Sequence, residues 1–180
     1  MWGSEALSAN SISGDAAEDS GAFAEAVRAH QAMVFSIAYH FLKDRFAAEE
    51  VAQDVFLQLH TKLRDLESRE HVVFWLRRIA SHRSIDYARR RKATVALEDA
   101  PEPAVEGGQD DFLLKDRLRA LIASLPETPR MVMILRYQEE LMPEEIARVM
   151  EMPVRTVKSH LQRSLALLRE KIERSMGRNG

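Results

Sequence analysis

The segment from Arg155 to Arg163 carries cationic, hydroxyl and amide side chains, the types that contact phosphates and base edges in DNA. Val157 and Leu161 lie four residues apart and predict the buried face of one helix. The polar side chains then share the outward face: Arg155, Thr156, Lys158, Ser159, His160, Gln162 and Arg163. Such a face is typical of a helix that enters the major groove.

The residues before this helix predict a helix-turn-helix. Pro143 suits the first position of a short helix, because its missing N–H would have no helical partner there. Ile146 and Ala147 predict the inward face of that helix, and the segment 151–153 predicts a tight turn. An ordinary helical hairpin would give the same pattern, so this motif alone does not decide for DNA.

A second cationic segment lies between residues 75 and 92, where seven basic residues accompany one acid. Its bases are Arg77, Arg78, Arg83, Arg89, Arg90, Arg91 and Lys92. Residues 93–116 are strongly acidic, so the overall net charge of −2 conceals two basic blocks separated by an acidic one. This charge pattern favours two contacts with a polyanion. Trp75 could stack on an unpaired base, although an aromatic residue at helical spacing more often belongs to the core.

Composition excludes several classes of function. The 180 residues contain no cysteine, which excludes a disulfide framework, a Cys-ligated metal and a cysteine nucleophile. The six histidines form no H-E-x-x-H pair, and no glycine-rich phosphate loop is present. We therefore expect no catalytic residues, no metal and no cofactor, and a protein that is not an enzyme. No apolar run is long enough for a membrane span, and we expect a cytoplasmic protein without membrane insertion.

Hydrophobic periodicity predicts an all-α fold with two small helical domains joined by a flexible acidic linker. We expect a disordered tail over residues 1–21 and a three-helix domain over 22–92. The linker should cover 93–111, which is rich in proline, glycine and acid. A four-helix domain with the helix-turn-helix should cover 112–176.

Four motifs occur in a fixed order around the linker. Residues 48–56 read A-E-E-V-A-Q-D-V-F, and residues 75–89 read W-L-R-R-I-A-S-H-R-S-I-D-Y-A-R. Residues 125–130 read L-P-E-T-P-R, and E-I-A followed by T-V-K-S-H-L-Q-R occurs between residues 145 and 163. Together they resemble the extracytoplasmic-function (ECF) group of bacterial RNA polymerase sigma factors. The resemblance covers residues 23–92, the second conserved region of that family, and 112–174, the fourth.

The resemblance implies a promoter-specificity subunit that binds core RNA polymerase and recognises the minus-ten and minus-thirty-five promoter elements. It implies contact with the clamp helices of the largest polymerase subunit through Glu50, Gln53, Asp54, Phe56 and Leu57. It implies contact with the minus-ten element through Arg77, Arg78, His82, Arg83, Arg89, Arg90, Arg91 and Lys92. The face from Arg155 to Arg163 would read the minus-thirty-five element. The flap of the second-largest subunit, and an anti-sigma factor, are further partners that the resemblance implies.

Some positions depart from the family pattern. His82 replaces an asparagine, Glu151 a turn glycine and Arg155 a glycine at the start of the recognition helix. Met142 replaces a serine N-cap, a loss of about 1 kcal/mol. The main alternative is an autonomous regulator that binds DNA as a dimer through the helix-turn-helix, which would leave the Glu50–Phe56 face and the acidic linker unexplained.

Overall fold

The structure, a computed structural model, describes residues 9–95 and 120–176. Every regular element within these two ranges is helical, which confirms the predicted all-α fold. The elements are α1 (Ala9–Leu42), α2 (Arg45–Lys62), a 3-10 turn (Leu63–Asp65), α3 (Arg69–Val95), α4 (Glu127–Tyr137), α5 (Pro143–Val149) and α6 (Val154–Met176). A further helical turn covers 120–123.

Helices α1, α2 and α3 form one bundle, because each carries apolar residues at spacings of three and four. The fully or almost fully buried members are Val34, Ile37, Ala38, Phe41, Ala48, Val51, Val55, Leu59, Leu76 and Ala80. Lys43 adopts a φ of 56° and ends α1, and the Asp44 carboxylate then accepts a hydrogen bond of 3.1 Å from the N–H of Ala47. This cap turns the chain sharply into α2.

Helices α4, α5 and α6 form the second bundle. Five consecutive residues of α4, from Met131 to Leu135, are buried, which means that α4 is covered on more than one side. Pro143 occupies the first turn of α5, and Met142 caps that helix without a side-chain bond. The Met142 N–H instead donates to the Glu145 carboxylate at 2.8 Å, which supplies half of a capping box.

The two bundles share one continuous hydrophobic core, in which Phe41 and Leu76 belong to the same cluster as Met131 and Ile146. Helix α4 packs against α1 and α3, and α5 packs against α3. The guanidinium of Arg130 lies 5.1 Å from the centre of the Phe41 ring, and its Nη1 donates to the Phe41 carbonyl at 3.4 Å. Both bundles therefore leave apolar surface that they bury against each other.

The predicted boundaries need two corrections. Helix α1 begins at Ala9, so the backbone of residues 9–21 is helical and not a disordered tail. Extending the packed part of α1 beyond residue 23 costs less than nucleating a new helix, so the helix continues into residues that are poor helix formers. Helix α3 continues to Val95, three residues into the predicted linker. Residues 1–8, most of the linker and the first part of the predicted helix over 112–125 lie outside the described residues.

Candidate nucleic-acid and polymerase interfaces

The first half of α6 presents the predicted DNA-reading face to solvent. Val157 is completely buried beneath it. The side chains of Arg155, Lys158, Gln162 and Arg163 are exposed, and those of Thr156, Ser159 and His160 are half-buried. None of the seven predicted residues is buried, and they lie on the sides of α6 that face away from Val157.

Glu144 is the acidic neighbour of this face. Its Oε1 lies 3.4 Å from Lys158 Nζ, and both side chains are more than half exposed. An ion pair this exposed contributes less than about 1 kcal/mol, so a phosphate can replace the carboxylate at little cost. The hydrogen bond and charge of Lys158 also help to hold the pKa of Glu144 below its ordinary value, after the larger effect of its own backbone N–H.

The turn between α5 and α6 passes through Glu151, whose φ is 52°. The N–H of Met152 donates to the Ala147 carbonyl at 3.0 Å and closes the end of α5. A left-handed conformation costs a residue with a Cβ about 1–2 kcal/mol, and glycine avoids this cost. The glutamate at this position therefore strains the backbone, where glycine would not, and it places a carboxylate at the tip of the turn.

The predicted minus-ten face of α3 is largely paired with carboxylates. Glu151 of the turn lies 2.7 Å from Arg78 Nη2 and 3.9 Å from His82 Nδ1. Both carboxylate oxygens of Glu127, at the start of α4, are paired, one with Arg89 Nε and the other with Lys92 Nζ, each at 2.9 Å.

Arg77 also faces a carboxylate of the second bundle. Its Nε lies 3.9 Å from the carboxylate of Glu139, whose side chain is only 9% exposed. Burial raises the pKa of Glu139 above its ordinary value, and the charge of Arg77 and the hydroxyl of Ser36 offset this effect only in part. The Glu127 carboxyl shows the opposite behaviour, because hydrogen bonds from Lys92 and Arg89 hold its pKa below its ordinary value.

Two more cations of α3 are held within the first bundle. Arg91 Nη1 donates to the Asp44 carboxylate at 2.7 Å, a contact that ties α3 to the beginning of α2. With the Gln58 amide oxygen turned towards it, Arg83 donates from Nε and Nη2 at 2.8 and 2.7 Å. Arg90 is exposed on the same helix. The eight predicted minus-ten residues therefore lie on one helix, but they are not one open cationic surface.

The predicted polymerase-binding residues of α2 form an accessible face. Glu50, Gln53, Asp54 and Leu57 are all exposed, and the Leu57 side chain keeps 68% of its surface accessible. Phe56 is half-buried and lines an open apolar groove of about 780 Å³ between α1 and α2, together with residues that include Phe23, Val27 and Phe35. Acidic groups beside an apolar groove can bind a basic amphipathic helix.

Several functional neighbours were missed from the sequence. The Tyr87 hydroxyl donates to Glu50 at 3.1 Å, which links α3 to the predicted polymerase-binding face of α2. Burial, followed by this hydrogen bond, raises the pKa of Tyr87. Glu127 and Glu139 carried no signal, because isolated acids on predicted helices resemble solvated surface. Glu151 could have been noticed in the sequence, because it occupies a position where the motif has a turn glycine. Trp75 is half-buried against the core, as the core interpretation predicted.

Among the described residues, no group of three or more acids and histidines is placed to hold a metal ion. No helix in that part of the chain is long and apolar enough to cross a membrane. The fold and its two cationic helix faces define a helical DNA-binding protein with a helix-turn-helix.

Comparisons with known proteins identify the family. The Sigma-70 region 2 family matches residues 26–94, and the Sigma-70 region 4 family matches residues 115–168. The RNA polymerase sigma-H factor of Pseudomonas aeruginosa is 30% identical, with 88% of each chain covered. The ECF RNA polymerase sigma factor SigW of Bacillus subtilis is 29% identical over 86% of this chain and 90% of its own length.

Solved structures show the same fold at lower identity. The sigma factor RpoE from Bartonella quintana, in complex with the anti-sigma factor NepR, matches 84% of this chain and 96% of its own, with a TM-score of 0.66 and 20% identity. CnrH, in complex with the cytosolic domain of CnrY, covers 86% of this chain and 89% of its own, with a TM-score of 0.62 and 22% identity. The chain belongs to the ECF group of bacterial sigma factors. It is a promoter-recognition subunit of RNA polymerase, and the autonomous dimeric regulator is not favoured.

Proposed function

We propose that the two domains divide promoter recognition between them. The first, predicted over residues 22–92, binds core polymerase and the minus-ten element, and the second, over 112–176, binds the minus-thirty-five element and the flap of the second-largest subunit. One observation carries this division: a single chain exposes both an acidic-apolar face on α2 and a cationic face on α6. An autonomous regulator would need only the second face.

The polymerase-binding surface is assigned to Glu50, Gln53, Asp54, Phe56 and Leu57. Four of these residues recur at helical spacings and are exposed: Glu50, Gln53, Asp54 and Leu57. Phe56 lines the apolar groove beside them. The carboxylates can pair with cations of a clamp helix, and Leu57 and Phe56 can bury apolar side chains of that helix. An apolar centre with a charged rim is the usual composition of a stable protein interface.

The distal promoter element is assigned to the α6 face from Arg155 to Arg163. Arg155, Lys158 and Arg163 are the phosphate contacts, and Gln162, Ser159 and Thr156 can bond to base edges. Arg155 adds a cation at the helix start, where the family pattern has glycine. We therefore expect a promoter preference that differs from that of members with the glycine.

The minus-ten element is assigned to the eight residues of α3. Arg78, Arg89 and Lys92 can exchange carboxylate partners for phosphates, because the side chains of all three are 39–68% exposed. His82 and Arg77 are more enclosed, and we expect them to act only after the neighbouring carboxylates have moved away.

The remaining assignments follow from the family. The chain supplies promoter recognition and polymerase carries out nucleotide addition, so we expect no activity of its own and a cytoplasmic location. Two structural relatives are complexes with NepR and with the cytosolic domain of CnrY. We infer that an anti-sigma factor also binds this chain.

Co-elution with bacterial core polymerase tests the proposal. Wild-type protein and an Asp54→Arg variant are each mixed with core enzyme and separated by size. Asp54 is exposed, so its replacement should leave the fold intact, and Glu173→Arg gives the same charge change on an exposed residue of α6. We expect wild type and Glu173→Arg to co-elute with polymerase and Asp54→Arg to fail. Co-elution of all three proteins with polymerase, or failure of the wild-type protein to co-elute, would contradict the assigned surface.

A further inference from the structure

One stripe of α3 contacts α2 through polar side chains. Arg83, Tyr87 and Arg91 are spaced four residues apart, so they lie on the same side of α3. Their partners occur in the reverse order along the chain: Gln58, Glu50 and Asp44. The contacts therefore cross between two antiparallel helices, from near the C-terminus of α2 to its N-cap.

The outer two contacts fix the position of α2 along α3. Arg91 Nη1 donates to the Asp44 carboxylate at 2.7 Å, and Arg83 donates from Nε and Nη2 to the Gln58 amide oxygen. Asp44 and Gln58 lie about 21 Å apart along α2, whereas Arg83 and Arg91 lie about 12 Å apart along α3. The long arginine side chains span this difference. A hydrogen bond restricts both distance and direction, so sliding or rotation of α2 would break these contacts.

The apolar packing beside this stripe is less directional. Ala80, Ser84 and Ala88 form the neighbouring stripe of α3, and Ala80 and Ser84 are completely buried. Short side chains form shallow ridges, which interlock with a facing helix less firmly than long ones do. The hydrophobic effect itself has no preferred direction. The polar contacts therefore add a directional restraint on α2 beyond that of the apolar packing.

Tyr87 makes the central contact, with a residue of the proposed polymerase-binding surface. Its hydroxyl donates to Glu50 Oε2 at 3.1 Å, and its ring packs against the core. The Glu50 side chain is exposed to solvent. We propose that Tyr87 is a positioning residue for polymerase binding, which holds one carboxylate oxygen of Glu50 and leaves the other for a cation of core polymerase. This inference rests on the proposed function of the α2 face.

The chemistry of the pair suits this role. Burial, and then the hydrogen bond to Glu50, raises the pKa of Tyr87, so the hydroxyl keeps its proton and remains a donor at neutral pH. An ionised carboxylate accepts this bond without losing its charge. A glutamate side chain that rotates freely must be ordered when it binds a partner, and this ordering reduces affinity. Tyr87 orders Glu50 before the partner arrives.

A double-mutant cycle on the full chain tests the inference. Affinity for bacterial core polymerase is measured for wild type, Tyr87→Phe, Glu50→Ala and the variant with both changes. Tyr87→Phe keeps the packed ring and removes only the hydroxyl. We expect it to weaken binding about fivefold in the wild-type background and less than about 1.5-fold in the Glu50→Ala background, because the hydroxyl acts through Glu50. Tyr137→Phe removes a hydroxyl from an exposed tyrosine of the second domain and should leave the affinity unchanged.

A purely structural role of Tyr87 gives a different result. If the hydroxyl only stabilised the fold, Tyr87→Phe would weaken binding equally in both backgrounds. That outcome, or no effect of Tyr87→Phe on the wild-type affinity, would overturn the inference. An equal loss from Tyr137→Phe would overturn it as well, because the effect would then not be specific to Tyr87.

The Asp54→Arg variant separates this inference from the proposed function. Loss of binding by Asp54→Arg, together with unchanged binding by Tyr87→Phe, would keep the polymerase-binding surface and remove the role of Tyr87. Unchanged binding by Asp54→Arg would contradict the surface itself, and with it the inference.

Discussion

The cationic faces of α3 and α6 have similar chemistry but opposite surroundings. On α6, Arg155 and Arg163 are exposed, and Lys158 has a single exposed acidic neighbour. On α3, three glutamates of the other domain and one aspartate of the same domain pair with most of the cations. A basic segment in a sequence therefore indicates a cationic helix face without telling whether that face is available.

The difference has a structural origin. The first half of α6 is covered only on its Val157 side, because the helix-turn-helix presents its second helix outward. Helix α3 is covered twice, by α1 and α2 on one side and by α4 and α5 on the other. In the free protein we therefore expect α6 to contact DNA first, and α3 only after the domains have separated.

The largest expected difference between the two faces is in DNA affinity after alanine replacement of three cations on each. In the free protein, Arg155, Lys158 and Arg163 changed together should weaken duplex binding by about a hundredfold and lower the salt slope by about 0.9 for each lost contact. Arg78, Arg89 and Lys92 changed together should weaken it by less than about threefold, because these side chains are already paired. Titrations over a range of salt concentrations measure both quantities, and equal losses from the two sets would remove the contrast between the faces.

A smaller effect is expected at Glu151, where two substitutions distinguish the effect of backbone strain from the effect of the carboxylate. Glu151→Gly relieves the left-handed strain and removes the carboxylate, whereas Glu151→Ala removes the carboxylate and keeps the strain. The alanine variant should be less stable than the glycine variant by about 1 kcal/mol in denaturant unfolding. Both should bind a single-stranded oligonucleotide equally well and more tightly than wild type. Tighter binding by only one of them would mean that the turn conformation, and not the carboxylate, controls access to α3.

The smallest expected effect is a pair of opposite pH dependences. Because the folded-state pKa of Glu139 is raised, the wild-type free energy of unfolding should fall relative to that of Glu139→Gln as pH rises from about 4.5 through that raised value. The groups facing Glu139 are Arg77 of α3 and Ser36 of α1.

Glu127 should behave in the opposite way, since Lys92 and Arg89 lower its pKa. The stability that it contributes relative to Glu127→Gln is present above about pH 4.5 and lost as pH falls through the lowered folded value. Denaturant unfolding of both variants and of wild type between acidic and neutral pH measures the two trends. If the unfolding free energy of both variants, relative to wild type, changed with pH in the same direction, the different surroundings of the two carboxylates would not explain their behaviour.

The sequence predicted those parts of the molecule that depend on local pattern. The spacing of Val157 and Leu161, and Pro143 at a helix start, predicted the two helices of the helix-turn-helix. The exposed side of α2 followed from helical spacing in the same way. What it did not predict depends on residues far apart in the chain, such as Glu127 with Arg89, 38 residues earlier. No local rule relates such a pair, and only the shared apolar core brings them together.

The distance between spin labels at Thr61→Cys and Arg169→Cys, measured in the free protein and again after addition of core polymerase, tests the central claim most directly. We predict one short, narrow distance distribution in the free protein and a longer one in the complex, because the proposed promoter contact by α3 requires the carboxylates of the second domain to move away. A broad or long distribution in the free protein, or the same short distance in the complex, would contradict the account.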